Sequence, residues 1–109
     1  MTEQPTPSRI VDLASYQEGS IVSRIVLKRD TGNVTLFAFD AGQGLEEHTS
    51  PFDALVVVLD GSLTLTIDGT PVRAIAGTIV RLPAHLPHAL DAPEACRMLL
   101  IMLRDLKAP

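Results

Sequence analysis

Residues 54–69 read ALVVVLDGSLTLTIDG, and this stretch decides the fold class. Its first part, residues 54–59, is wholly apolar and leads into Asp60-Gly61. Its second part, residues 62–67, alternates apolar and polar residues, which is the period of a β-strand with one buried face. The Asp68-Gly69 pair that follows is the signal for a two-residue hairpin turn. The stretch therefore predicts two consecutive strands and the start of a third.

Short segments rich in Val, Ile, Leu, Thr and Phe fill most of the remaining chain. The pattern predicts strands at 21–29, 34–40, 54–60, 62–67, 70–74, 78–82, 88–90 and 96–103. Residues 10–16 have room for one helical turn at most. Strands at this spacing, with turn signals between them, are typical of a β-sandwich or a closed barrel. Residues 54–59 are apolar on both faces, which suits a strand packed between the barrel interior and either a second layer or a subunit partner.

A length of 109 residues predicts a single domain. Residues 1–8 contain two prolines and several polar residues, so we expect a flexible N-terminal tail there. Residues 9–109 form the predicted domain.

Charge and composition disfavour several classes of partner. Nine Lys and Arg stand against 13 Asp and Glu, for a net charge of −4, and the cations never form a run, so no nucleic-acid footprint is present. No apolar run is long enough for a membrane span, and no secretory leader is recognisable. A single cysteine, Cys96, excludes an intramolecular disulfide and is compatible with a reducing compartment. We therefore expect a cytoplasmic protein with no nucleic-acid or membrane partner.

Three histidines are the best candidates for chemistry. His48 precedes the predicted strand that begins at Ala54, while His85 and His88 frame the turn PAHLPHAL. In an antiparallel barrel, distant strands can bring such positions together at one mouth. Imidazole is the commonest protein ligand of transition metals, so two or three of these side chains could hold a divalent ion.

The glycines and histidines also follow a known framing. Gly42 is separated from His48 by five residues, and Gly61 closes this first motif; Gly77 is separated from Pro83 by five residues, and His88 follows within the second motif. From about Gly32 to Leu103 the chain resembles the small single-domain cupins, with a first motif at about 42–61 and a second at about 77–92. The resemblance implies an all-β fold, a double-stranded β-helix or jelly-roll barrel.

The resemblance also implies a metal site, which this sequence departs from. Cupin sites usually draw on two histidines and a glutamate from the first motif and one histidine from the second. Here His48 and His88 match, but Ser50 stands at the second histidine position and Ala54 at the glutamate position. His85 occupies a position where the family often has glycine, which predicts a turn with positive φ. His48, His88 and His85 are thus the candidate ligands of a divalent iron, manganese, nickel or zinc ion.

A ligand pocket beside these histidines is the second expectation. Glu46 shares strand parity with His48 and Ser50, so it can point the same way and replace the missing carboxylate. Strand parity leaves open whether Phe37 and Phe39 or their neighbours face inward. The predicted pocket lining comprises Ser50, Glu46, Phe39, Val56, Met98 and Met102. A largely apolar barrel of this kind can hold one small ligand.

Three functions remain open at this point. The first is small-molecule binding with a degenerate, metal-binding site at the barrel mouth. The second is a metal-dependent enzyme of the dioxygenase or isomerase type, which the broader cupin family includes; no complete catalytic set is visible, so enzymatic activity is uncertain. The third is a non-catalytic scaffold or partner module, since small cupins commonly form homodimers and the segment Ile10–Val26 could extend a neighbour's sheet.

Overall fold

The computed structural model describes residues 5–106 of the chain. Within them lie one 3₁₀ helix, Ile10–Leu13, and nine β-strands. The strands are β1 Ile21–Arg29, β2 Gly32–Phe39, β3 Gly44–His48, β4 Asp53–Asp60, β5 Ser62–Ile67, β6 Thr70–Ile75, β7 Ile79–Leu82, β8 His88–Asp91 and β9 Cys96–Leu103. No helix in this range is long and apolar enough to cross a lipid bilayer.

The strands form two antiparallel sheets. One sheet has five strands in the order β1-β2-β9-β4-β7, and the other has four in the order β3-β8-β5-β6. Each sheet also pairs strands from distant parts of the sequence, because β9 lies between β2 and β4, and β8 lies between β3 and β5. The predicted all-β class is confirmed.

The Asp68-Gly69 turn joins β5 and β6 as the sequence predicts. Ile67 pairs with Thr70, so two residues form the loop. Both have positive φ, 48° at Asp68 and 83° at Gly69. This combination belongs to the type I′ turn, whose twist matches that of the flanking strands.

Strand β3 is the one strand that the sequence pattern misses. It carries Glu46 and Glu47 in adjacent positions and is mostly exposed, so it shows no apolar alternation. Its discovery corrects the place of His48. This residue ends β3 rather than heading the next strand, and four residues separate it from Asp53, where β4 begins.

The main core lies between the two sheets. It is built from inward-facing residues of seven strands and one connection: Phe39, Ala54, Val56, Val58, Leu63, Leu65, Ala74, Leu82, Leu90, Ala92, Cys96 and Met98. Alternation along each strand directs these side chains to one face. Apolar burial of this extent is the dominant stabilising term for a domain of this size.

A second, smaller cluster lies on the outer face of the five-stranded sheet. Residues 10–16, which we call the N-terminal strap, pack across this face. Leu13, Ala14 and Tyr16 of the strap contact Leu36 and Ala38 of β2, and these two are fully buried. The predicted helical turn in this region is confirmed as the 3₁₀ helix. Residues 5–8 of the predicted tail are exposed and irregular, and residues 1–4 lie outside the described range.

A polar network joins the strap to the barrel. The Tyr16 hydroxyl donates to Asp60, and the Arg97 guanidinium donates to the other oxygen of Asp60 at 2.8 Å. Arg97 also donates to the Ala14 carbonyl at 2.7 Å and lies 4.1 Å from the centre of the Tyr16 ring. Burial and the hydrogen bond to Asp60 raise the pKa of Tyr16 well above its usual value.

Candidate functional site

His48 and His88 lie side by side on neighbouring strands. His48 ends β3, His88 begins β8, and the two are direct partners in the antiparallel register. Their ring centres are 4.5 Å apart, with the ring planes at 67°. His88 is buried, with 7% of its surface exposed, whereas His48 is exposed. A bulge between Leu45 and His48 sets this pairing. The fold thus unites two histidines that are 40 positions apart in sequence.

Both imidazoles are held by the main chain in the same way. Nδ1 of His48 lies 2.8 Å from the carbonyl oxygen of Glu46, and Nδ1 of His88 lies 3.1 Å from that of Leu86. A carbonyl oxygen can only accept, so each Nδ1 carries the proton and donates it. In the neutral rings, each Nε2 is therefore a free acceptor. A backbone carbonyl on one ring nitrogen is also the usual way in which a protein orients a histidine ligand.

The two rings form one wall of a cavity between the sheets. Its volume is about 260 Å³. The lining residues are Leu45, His48, Ser50, Phe52, Ala54, Leu82, His88, Leu90, Met98, Leu100 and Met102. The polar side chains among them are those of His48, His88 and Ser50. The cavity is therefore mostly apolar, and its polar groups lie in one small region.

The residues at the other two family ligand positions also line this cavity. Ser50 and Ala54 both face it, so the chain matches the family's geometry while changing its chemistry. Within residues 5–106, no group of three or more His, Cys, Asp or Glu side chains is placed to hold a metal ion. Two neutral imidazoles supply neither the third imidazole nor the anionic donor of the family site. The residues present therefore do not fit the four-donor cupin metal centre.

Serine 50 is a hydrogen-bonding group rather than an activated nucleophile. Its Oγ accepts from the Phe52 amide at 3.1 Å, which leaves the hydroxyl proton free for a partner in the cavity. Nucleophilic serine needs a base within hydrogen-bond reach. Among the described residues, neither His48 nor His88 makes that bond.

The other predicted pocket residues divide into three groups. Met98 and Met102 line the cavity. Phe39 and Val56 face the interior but are fully buried in the core, outside the lining. Glu46 is exposed on β3 and reaches the site through its main-chain carbonyl, which accepts from His48. Its carboxylate is outside the lining as well.

His85 lies apart from the histidine pair. Its φ of 69° is the positive value that the glycine-like position predicts, and its amide donates to the Ser50 carbonyl at 2.8 Å. The side chain is exposed and borders a separate cavity of about 650 Å³ together with Asp53 and Arg104. The turn thus places the side chains of His85 and His88 at different cavities, although the two residues are only three positions apart in sequence.

Leu45, Phe52 and Leu82 are among the lining residues that the predicted set left out. Leu45 lies on the unrecognised strand β3, and Phe52 lies in the turn before β4. Leu82 ends β7 with inward parity, shown by its pairing with Ala54. Parity with Ser50 and Ala54 was the available signal for Phe52, because residues 50, 52 and 54 all face the cavity.

The cysteine is not available for chemistry at this site. Cys96 is fully buried in the core. Burial, together with the charges of Asp60 and Glu94, raises the pKa of its thiol to about 12. A thiol in this state is an inert apolar side chain at neutral pH.

Comparisons with known proteins agree with this architecture. Over 97% of its length, the chain is similar to a conserved protein of unknown function from Streptococcus pyogenes, with 32% identity, 93% of that chain covered and a TM-score of 0.91. A cupin superfamily protein from Desulfitobacterium hafniense is 26% identical over 94% of each chain, with a TM-score of 0.88.

Two further comparisons complete this picture. A cupin 2 conserved barrel domain protein from Leptotrichia buccalis is 38% identical over 85% of this chain and 45% of that one, with a TM-score of 0.83. No curated protein matches. The Cupin_2 family model, described as a cupin domain, matches residues 35–102. Because this match spans both motifs and more than half of the chain, the chain belongs to the cupin domain family.

Proposed function

We propose that this cupin binds a small, largely apolar molecule that carries a hydroxyl group. The body of the molecule occupies the cavity between the sheets, against side chains such as Phe52, Met98 and Met102. Its polar group lies against His48 and His88. Predominantly apolar lining with a few convergent polar groups is the usual composition of a small-molecule site.

The main support for this proposal is the pair of hydrogen-bond acceptors on His48 and His88. Nε2 of His48 and Nε2 of His88 belong to rings 4.5 Å apart, and both Nδ1 protons are already used by main-chain carbonyls. Two acceptors beside an apolar chamber need a donor, and a ligand O–H supplies it. The Ser50 hydroxyl can in turn donate to the same ligand oxygen. The site therefore matches a group that both donates and accepts.

The cavity volume limits the size of the ligand. About 260 Å³ lies just below the range of roughly 300–1,000 Å³ typical of small-molecule sites. A single ring or a short branched chain suits this space. We propose binding rather than catalysis, because Ser50 has no base bonded to it and the histidine pair lacks the family's remaining metal donors.

Phenol and anisole give a direct test, because they share a ring and differ in the donor. The chain has three methionines, and Met98 and Met102 both line the cavity. Labelling the methionine methyl groups with ¹³C therefore places two NMR probes in the cavity, and Met1 gives a third signal. We expect phenol to shift the Met98 and Met102 signals at concentrations at least about tenfold lower than anisole does, since the lost hydrogen bond to a buried acceptor is worth about 1–2 kcal/mol.

The histidine pair provides the matched control. His48→Leu/His88→Leu removes both acceptors and puts apolar side chains in their place. We expect this double variant to bind phenol and anisole about equally. Equal binding of the two probes by the unsubstituted protein, or shifts that avoid Met98 and Met102, contradicts the proposal.

A further inference from the structure

Two methionine sulfurs border the same cavity as the histidine pair. Met98 and Met102 both lie on β9, and both side chains line the cavity. The proposed binding of a small molecule uses them only as apolar surface. A thioether sulfur is also a polarisable donor that binds soft metal ions. The cavity wall therefore holds metal donors of a second kind beside the imidazoles of His48 and His88.

Met102 lies beside the position where the family's carboxylate is missing. It is the direct cross-strand partner of Ala54 in the antiparallel pair of β4 and β9, and both residues line the cavity. Paired side chains of this kind have Cβ atoms about 5 Å apart. Alanine leaves the space beyond its methyl group open, and a methionine with its flexible, unbranched side chain can extend into that space. The Met102 sulfur can thus approach the place that a carboxylate at residue 54 would occupy.

Packing distinguishes Met102 from Met98. Met98 is fully buried and belongs to the main core, whereas Met102 is only partly buried and packs against that core. Met98 also pairs with Val58, further along β4 than Ala54. Close packing in the core holds the Met98 side chain in one place. Met102 keeps more freedom to turn its sulfur toward the imidazole rings.

We infer that His48, His88 and Met102 form a binding site for monovalent copper. The donors are the two Nε2 atoms and the methionine sulfur. The imidazole ring centres are 4.5 Å apart, so one ion can reach both rings, and both Nδ1 protons are held by main-chain carbonyls. Thioether ligands select copper in its monovalent state, and imidazole also binds copper. The inference goes beyond the proposed ligand, because it gives the sulfur of Met102 a role that binding of an apolar molecule does not require.

The charge of the ion decides which metal this site favours. All three donors are neutral, and no carboxylate is found among the described residues that line the cavity. The free-energy cost of moving an ion from water into a medium of low dielectric constant rises with the square of its charge. A divalent ion therefore costs about four times as much as a monovalent ion of the same size. The site should accordingly prefer copper(I) to zinc(II) or nickel(II).

Copper(I) itself is the probe, added under nitrogen to the full chain in competition with the chelator bathocuproine disulfonate. We expect the unsubstituted chain to bind copper(I) at least about tenfold more tightly than Met102→Leu, which keeps the apolar volume but removes the sulfur. Met98→Leu makes the same chemical change in the same cavity, and its affinity should stay within about threefold of the unsubstituted value. His48→Leu/His88→Leu should bind at least about a hundredfold more weakly, because two of the three donors are lost. Circular dichroism checks that each variant is folded.

The ¹³C-labelled methionine methyl groups report the coordination directly. Copper(I) has a filled d shell and is diamagnetic, so the methyl signals remain visible when it binds. We expect copper(I) to shift the Met102 signal by more than the Met98 signal, with the two signals assigned from the leucine variants. Zinc(II) at the same concentration should leave the Met102 signal in place.

Met102→Leu also separates this inference from the proposed function. It removes no hydrogen-bonding group, so the variant should still bind phenol more tightly than anisole, as read from the Met98 signal. The copper titration and the phenol comparison therefore fail independently. Unchanged copper(I) affinity in Met102→Leu, equal losses in Met98→Leu and Met102→Leu, or zinc(II) binding as tight as that of copper(I) overturns the inference.

Discussion

Single residues decide the chemistry of the pocket. Cupin sites of the usual kind use three imidazoles and a carboxylate, and this chain keeps two of those imidazoles, His48 and His88. Ser50 and Ala54 replace the others without leaving the cavity wall. The chain thereby lacks one imidazole and the anionic donor, and it has smaller, uncharged side chains in their place. Such a site suits a ligand that is held by van der Waals contact and hydrogen bonds.

This interpretation predicts that two substitutions restore metal binding. In Ser50→His/Ala54→Glu, four donors converge on one cavity, so we expect zinc or nickel to bind at least about a hundredfold more tightly than to the unsubstituted chain. Titration calorimetry measures both affinities. Without metal, the variant should be less stable by a few kcal/mol, because Ala54 is 6% exposed and a carboxylate there is desolvated.

The same pair of substitutions in a His48→Leu background serves as control. Removing one of the four donors should abolish most of the gain. An unchanged metal affinity in Ser50→His/Ala54→Glu contradicts the assignment of these positions to the family's ligand geometry.

At the scale of elements, turns fix which strands meet. Gly61 joins β4 to β5, crossing from one sheet to the other, and Gly69 joins β5 to β6 within a sheet. Both have positive φ, 72° and 83°. Their surroundings differ, because a Cβ at Gly61 would collide with the main-chain carbonyl of Ala95, whereas nothing lies near one at Gly69.

Substituting each glycine by alanine therefore separates two costs. Gly69→Ala has the cost of backbone strain alone, and Gly61→Ala has that cost together with a collision with the Ala95 backbone. We expect Gly69→Ala to lower the free energy of unfolding by about 1 kcal/mol, the cost of positive φ for a residue with a side chain. Gly61→Ala should cost about 2–4 kcal/mol, since the Ala95 backbone must also move. Urea unfolding followed by circular dichroism measures both. Equal costs would show that the Ala95 contact contributes nothing.

At the scale of the whole molecule, the strap and the barrel are joined by Asp60. Burial alone would raise the pKa of its carboxyl, but the hydrogen bonds from Tyr16 and Arg97, with the charge of Arg97, outweigh it and hold that pKa below its usual value. A carboxyl whose folded-state pKa is depressed stabilises the fold above its unfolded pKa of about 4. That contribution disappears as pH falls below about 4.

We expect Asp60→Asn to be less stable by about 1–2 kcal/mol at pH 7, a figure kept small because Asp60 is 37% exposed. The loss should shrink between pH 5 and pH 3, and urea unfolding across that range measures it. Asp12→Asn is the control, since Arg9–Asp12 is an exposed ion pair at 3.9 Å. It should change stability by less than about 0.5 kcal/mol. A pH-independent difference for Asp60→Asn would contradict the network's role.

The sequence by itself determined eight of the nine described strands, the Asp68-Gly69 hairpin and the framing that singles out His48 and His88. Periodicity and turn chemistry are local, so they can be read without the fold. The tertiary structure alone decided which inward-facing residues line the cavity. Along β9, Met102 and Met98 line it while Cys96 is sealed in the core.

The physical reason is that the alternation of apolar and polar residues shows which face of a strand a side chain is on. It does not show whether that part of the strand lies beside the cavity or in the closed core. Phe39 and Val56 face inward like Met98, yet they lie where the opposite sheet closes over them. Depth depends on the registers of β3, β8 and β9, which join distant parts of the chain. His85 shows the same limit, because one residue of positive φ directs its side chain into a separate cavity.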